Sequence, residues 1–170
     1  MNLNPISISA ALTLSLLAGL SHADGKHEDE IGKPGSASQV GRTVQIDMSD
    51  AMRFTPSSVD VRQGETVRFV VKNSGQVKHE MVLGSEEDIK AHALAMQKGA
   101  GHGSAHDSAG GAAITVAAGQ RGELVVKFDQ ARTLEMACLV PGHYEAGMRG
   151  TVNVQSASEQ ESATARPAPS

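Results

Sequence analysis

The chain of 170 residues carries a net charge of −4, with 39% hydrophobic and 20% charged residues, which suits one globular domain with a modest core and argues against a nucleic-acid binder. Aromatic residues make up only 2% and Trp is absent. The core must therefore be built from Val, Leu, Ile, Met and three Phe, and the valine enrichment favours strands.

Ile6 to Leu20 is an apolar run too short to span a bilayer comfortably, and Ser21-His22-Ala23 supplies a small-x-small cleavage pattern before Asp24. Residues 1–23 read as a secretory signal peptide. No Lys or Arg precedes the run, so retention as an uncleaved anchor is the alternative. Residues 24–42 are polar and rich in Gly and charge, including Lys33-Pro34-Gly35-Ser36, and are expected to form a flexible lead-in that carries no fold. His27 lies among Asp24, Glu28, Asp29 and Glu30, which reads as a solvated charge run before it reads as a metal trap. Cleavage after Asp24 would make Gly25-Lys26-His27 a square-planar set suited to Cu(II), but the cleavage pattern argues against it.

From Thr43 the period becomes two. Val44, Ile46 and Met48 alternate with Thr43, Gln45 and Asp47, the mark of a half-buried strand. Phe54 follows in a short piece ended by Thr55-Pro56, then Val59 with Val61, and Thr66 to Lys72, give two further strands separated by Gln63-Gly64-Glu65. After the turn Asn73-Ser74-Gly75, Val77 to Leu83 returns as a strand with His79, Met81 and Leu83 on one face. A lone His in such a position is usually a core residue.

Ser85-Glu86-Glu87-Asp88 resembles a capping box and predicts a helix to about Lys98, with Ile89, His92, Ala93 and Met96 on its packed face. His92 and Met96, at i and i+4, are also spaced to share a soft metal ion, though core packing is the better reading. Gly99 to Gly111, with His102 and His106, is expected to be a loop of spacer residues. Strands resume at Ala113 to Val116, Gly122 to Phe128, Thr133 to Cys138 and Gly150 to Val154, and residues 156–170 read as a disordered tail. The prediction is an all-β Greek-key sandwich over 43–155, with one helix and a Gly/His-rich loop inserted at 85–111.

The stretch with chemistry is Cys138-Leu139-Val140-Pro141-Gly142-His143-Tyr144-Glu145-Ala146-Gly147-Met148. Regular structure would scatter three groups spaced five apart, but Pro141-Gly142 forces a bend that lets them converge. Thiolate, thioether and imidazole suit copper best and zinc second. In an oxidising compartment a lone cysteine is a liability unless buried or bound, which strengthens the ligand reading. A trigonal copper site of the electron-transfer kind needs a second imidazole, and His79 is the candidate.

These residues resemble the cupredoxin family, the small blue or green copper proteins, over roughly Thr43 to Gln155. His79 in V-K-H-E-M, and Cys138, His143 and Met148 in C-x4-H-x4-M, fall where that family places its ligands, and M-R-F-T-P-S-S-V-D-V-R-Q-G-E-T-V-R-F-V-V-K-N-S-G is similar to its opening strands. The four-residue gap between Cys138 and His143 looks like the azurin and rusticyanin loop; plastocyanin-like members usually have two. Glu80 stands where electron carriers often have Asn. The H-E-M pattern, the His- and Met-bearing insertion, and the early histidines look more like periplasmic cupredoxins associated with copper tolerance.

The resemblance implies one type 1 copper ion held by His79, Cys138, His143 and Met148, in an exported, periplasmic monomer that touches no nucleic acid and no membrane beyond its export signal. It also implies an apolar rim at Leu139, Val140, Pro141 and Ala146 where a redox or copper-handling partner docks. Such a site needs no catalytic acid or base, so no enzyme is expected. The two roles for it are copper tolerance and dedicated electron transfer. Outside the family, Cys138 and His143 would be a thiol nucleophile and base, or ligands to zinc.

Overall fold

The computed structural model describes residues 33–97 and 112–164. Two five-stranded sheets pack face to face. One has the order β1-β8-β5-β2-β3, the other β4-β10-β9-β6-β7. The first holds β1 (Lys33–Pro34), β2 (Arg42–Ser49), β3 (Arg53–Thr55), β5 (Thr66–Asn73) and β8 (Arg121–Lys127); the second holds β4 (Ser58–Arg62), β6 (His79–Gly84), β7 (Ala112–Val116), β9 (Arg132–Ala137) and β10 (Arg149–Gln155). β2 pairs with β5, and β4 with β10, in parallel. Successive strands that switch sheets give the Greek-key sandwich expected from the period-two patterning.

The alternation decides what lies inside. Ile46 and Met48 of β2, Val59 and Val61 of β4, and Phe69 and Val71 of β5 are buried between the sheets. Phe69 meets Phe128 edge-on at 6.2 Å between ring centroids, so two of the few aromatic rings supply a large share of the packing volume.

β6 is buried at every position. Met81 and Leu83 face the main core, while Val82 on the opposite side forms a second cluster with Ile89 and Ala137. That cluster is the seat of α1 (Glu86–Gln97). Ser85 and Asp88 cap the helix reciprocally, Asp88 accepting from the Ser85 amide at 2.9 Å and Ser85 Oγ accepting from the Asp88 amide at 3.2 Å. Ile89 and His92 are buried on the packed face, as the i, i+3 spacing requires.

Order extends beyond the expected limits at both ends. Within the stretch read as a flexible lead-in, β1 pairs antiparallel with β8, Lys33 opposite Lys127, and the Gly35 amide donates to the Val125 carbonyl at 3.0 Å. Pro34 is tolerated because β1 is an edge strand and needs no N–H on its open side. Within the stretch read as a disordered tail lies α2 (Ala157–Thr164). Ser156 and Glu159 form a capping box that the sequence carries and the compositional reading passed over, with the Ser156 amide donating to Glu159 Oε2 at 2.7 Å. Residues 1–32 and 98–111, with the signal segment, His27, His102 and His106, lie outside the described residues. Among the described residues no helix is long and apolar enough to cross a membrane.

The turn that delivers β6 is held by Asn73, which is fully buried. Its Nδ2 donates to the carbonyls of Val77 at 2.8 Å and Val116 at 2.9 Å, and its Oδ1 accepts from the Gly75 amide at 2.9 Å. An Asn73→Leu substitution strands these groups together. It is expected to cost about 2–4 kcal/mol of stability in urea unfolding followed by circular dichroism.

Candidate metal centre

Strand register brings the site together. β6 and β9 run antiparallel with Val82 opposite Ala137 and Leu83 opposite Met136, so Cys138, the next residue beyond β9, comes to the neighbourhood of His79. The Glu80 amide donates to Cys138 Sγ at 3.4 Å. On the other side, β9 pairs with β10, and the ladder runs one step past the strands, the Cys138 amide donating to the Met148 carbonyl at 3.1 Å.

Residues 139–147 are therefore a closed loop above a continuous ladder. Its bend is fixed by the His143 amide donating to the Val140 carbonyl at 3.0 Å and the Met148 amide donating to the His143 carbonyl at 3.0 Å. At its far end Gly147 has φ 97° and its carbonyl accepts from Arg53 Nη1 at 3.3 Å. A side chain there would be in the left-handed region with its Cβ 2.9 Å from that same nitrogen.

His79 Nδ1 lies 3.1 Å from His143 Nδ1 and 4.0 Å from Cys138 Sγ, and the third edge, Cys138 Sγ to His143 Nδ1, is 3.4 Å. His79 and Cys138 are fully buried, and His143 is half-buried. Met148 is also fully buried, in the same core cluster as Cys138. Among the described residues this is the one group of three such donors able to hold a metal ion.

Burial shifts the protonation of Cys138 and His143. Loss of solvent pushes the Cys138 thiol up, against the Glu80 and Val140 amides that pull it down. Loss of solvent likewise lowers His143, helped by the nearby His79. Both shifts favour neutral groups. A neutral imidazole has a lone pair to offer, and a thiol here ionises readily only when a cation takes the place of its proton.

A family model described as copper binding proteins of the plastocyanin/azurin family matches residues 40–155. The chain belongs to that copper-binding family. Among curated relatives, a copper-resistant cuproprotein CopI from Rubrivivax gelatinosus is 47% identical over 140 residues, covering 81% of this chain and 82% of the relative. A protein of the same name from Pseudomonas aeruginosa is 35% identical over 178 residues, covering 86% of this chain and 95% of the relative. Auracyanin B superposes with a TM-score of 0.64 over 74% of this chain and 96% of its own, at 24% identity, and shares the cupredoxin fold.

The donors fit a copper ion. Metal bonds of about 2.0–2.1 Å to nitrogen and about 2.3 Å to sulfur, arranged as a flat triangle, separate the donors by roughly 3.5–3.8 Å. The three edges of 3.1, 3.4 and 4.0 Å bracket that range. Two imidazoles and a thiolate are also the trigonal set that copper of this kind takes.

Other features around this cupredoxin centre are less visible in the sequence. Asp50, in the turn between β2 and β3, places Oδ1 3.1 Å from His79 Nε2. The Gln76 amide, which donates to Asp50 Oδ2 at 2.7 Å, holds that carboxyl below its usual value. Tyr144 donates to Glu135 Oε1 at 2.7 Å, tying the loop to β9. Glu80, where electron carriers often have Asn, contributes its amide to the sulfur, while its buried side chain turns to His92, with 3.6 Å between Oε1 and Nε2. His92 thus packs against Glu80, and Met96 lies on α1. Leu139, Val140 and Pro141 of the expected rim line a cleft of about 560 Å³ with Ile89, Ala93 and Tyr144.

Gly147→Ala is expected to lose about 1–2 kcal/mol in chemical denaturation, the cost of a Cβ at a left-handed φ.

Proposed function

We propose that the chain is a periplasmic copper protein serving copper tolerance, in which His79 Nδ1, His143 Nδ1 and Cys138 Sγ would hold the ion and Met148, buried in the same core cluster as Cys138, would be a weaker fourth ligand. The observation that carries the reading is the convergence of two imidazole nitrogens and one sulfur, from the start of β6 and from the loop that follows β9, within mutual reach. Bound copper would supply one-electron redox chemistry. The chain's own groups keep water away, hold the donors at fixed spacing through the β6–β9–β10 ladder, and leave the half-buried His143 as the edge nearest solvent.

The names of the CopI relatives support tolerance as the biological role. The apolar run and small-x-small pattern at 6–23 support export to the periplasm. A dedicated electron carrier uses the same donors, and the cleft walled by Leu139, Val140 and Pro141, from the loop that carries His143, favours docking of a redox partner. A thiol hydrolase is disfavoured by the site itself. Cys138 is fully buried and its thiol is pushed up, whereas a nucleophile needs access and a lowered value.

Cu(II) added to the metal-free protein is expected to produce an intense thiolate-to-copper absorption band that Cys138→Ser lacks. A colourless protein that retains zinc would support the zinc reading instead. In the source bacterium, deletion of the gene is expected to cause sensitivity to added copper with respiration intact. Loss of one electron-transfer activity at normal copper tolerance would favour the carrier.

A further inference from the structure

The turn from β2 into β3 places a carboxylate against the rear nitrogen of His79. Asp50 Oδ1 is 3.1 Å from His79 Nε2, and Asp50 Oδ2 accepts from the Gln76 amide at 2.7 Å. The backbone beside it is shaped around the carboxylate. A Cβ on Gly75 would come within 2.1 Å of Asp50 Oδ1, so the space a side chain would occupy there belongs to Asp50. Two neighbouring contacts brace this corner. Ser74 Oγ donates to Asp47 Oδ2 at 2.7 Å, and Arg53 Nη1 donates to the carbonyls of Met52 at 2.9 Å and Gly147 at 3.3 Å.

An ionised carboxylate only accepts hydrogen bonds. His79 Nε2 must therefore carry the proton, and in a neutral imidazole that leaves Nδ1 as a bare lone pair. Nδ1 is the atom that faces His143 Nδ1 at 3.1 Å and Cys138 Sγ at 4.0 Å. A carboxylate behind a metal-binding histidine also raises the basicity of the ligand nitrogen, and its charge favours the more positive state of a nearby cation.

Resting on the reading of this cluster as a copper centre, we infer that Asp50 is a positioning residue: it locks His79 in the Nε2-protonated tautomer before metal arrives and biases the loaded site toward Cu(II). The first half concerns the metal-free protein alone. The second concerns the reduction potential, which a purely structural contact would leave in place.

The test uses the full chain with Asp50→Ala, Asp50→Asn and, as a control at the same corner, Asp47→Ala. Asp50→Asn keeps the volume but offers one amide oxygen to two donors. In metal-free protein, nitrogen-15 NMR of the His79 ring is expected to show the Nε2–H tautomer dominant in the native chain and in Asp47→Ala, and a mixture in both Asp50 variants. With copper bound, both Asp50 variants are expected to have a raised reduction potential and Cu(II) affinity weakened by about 10–100-fold, with Asp47→Ala near native on both. An unchanged His79 tautomer together with a native potential in Asp50→Ala overturns the inference. A native chain that gives no thiolate-to-copper band defeats the copper reading instead, and the metal-free NMR still decides whether Asp50 fixes the ring.

Discussion

The antiparallel register of β6 against β9 is the constraint on which the site depends. His79 and Cys138 are 59 residues apart in the chain, and nothing local relates them. Pairing Val82 with Ala137 brings them together, and the backbone amide of Glu80 reaches the sulfur as a consequence. Slipping this pairing by one residue would turn Cys138 to the opposite face of the sheet. Register is in turn protected by two-sided burial, since Met81 and Leu83 fit the main core while Val82 fits beneath α1. The inserted helix thus fixes the strand that carries the first histidine.

The second constraint is the closure of the loop above β9 and β10. The Cys138–Met148 backbone bond continues the ladder beyond the strands, so His143 is held between two residues already fixed by the sheet. Arg53 reaches from β3, in the other sheet, to the Gly147 carbonyl, and Asp50 reaches from the turn between β2 and β3 to His79. Both sheets therefore contribute to one pole of the sandwich. The donors are thereby held on rigid elements and braced by their neighbours, as a preorganised site requires.

Much of this was legible in the sequence because the signals are local. Period-two runs located most strands, Ser85 to Asp88 announced α1, and Pro141-Gly142 within a Cys, His and Met spacing announced the bend. Other features depend on contacts between distant residues. Asp50 looks like an ordinary turn residue, and only the packing of one sheet across the other places it behind His79. At the two ends composition and contacts point in different directions. A polar, Gly- and Ser-rich composition suggested disorder, yet β1 needs only an available edge on β8, and α2 is started by the Ser156–Glu159 capping pair.

On the proposed reading, one sulfur and two imidazole nitrogens of this chain meet on a single copper ion. X-ray absorption at the copper edge of the loaded native protein tests it most directly. The expected shell is one short copper–sulfur distance with two copper–nitrogen distances, the sulfur vanishing in Cys138→Ser. A shell made only of nitrogen and oxygen in the native protein would contradict the claim.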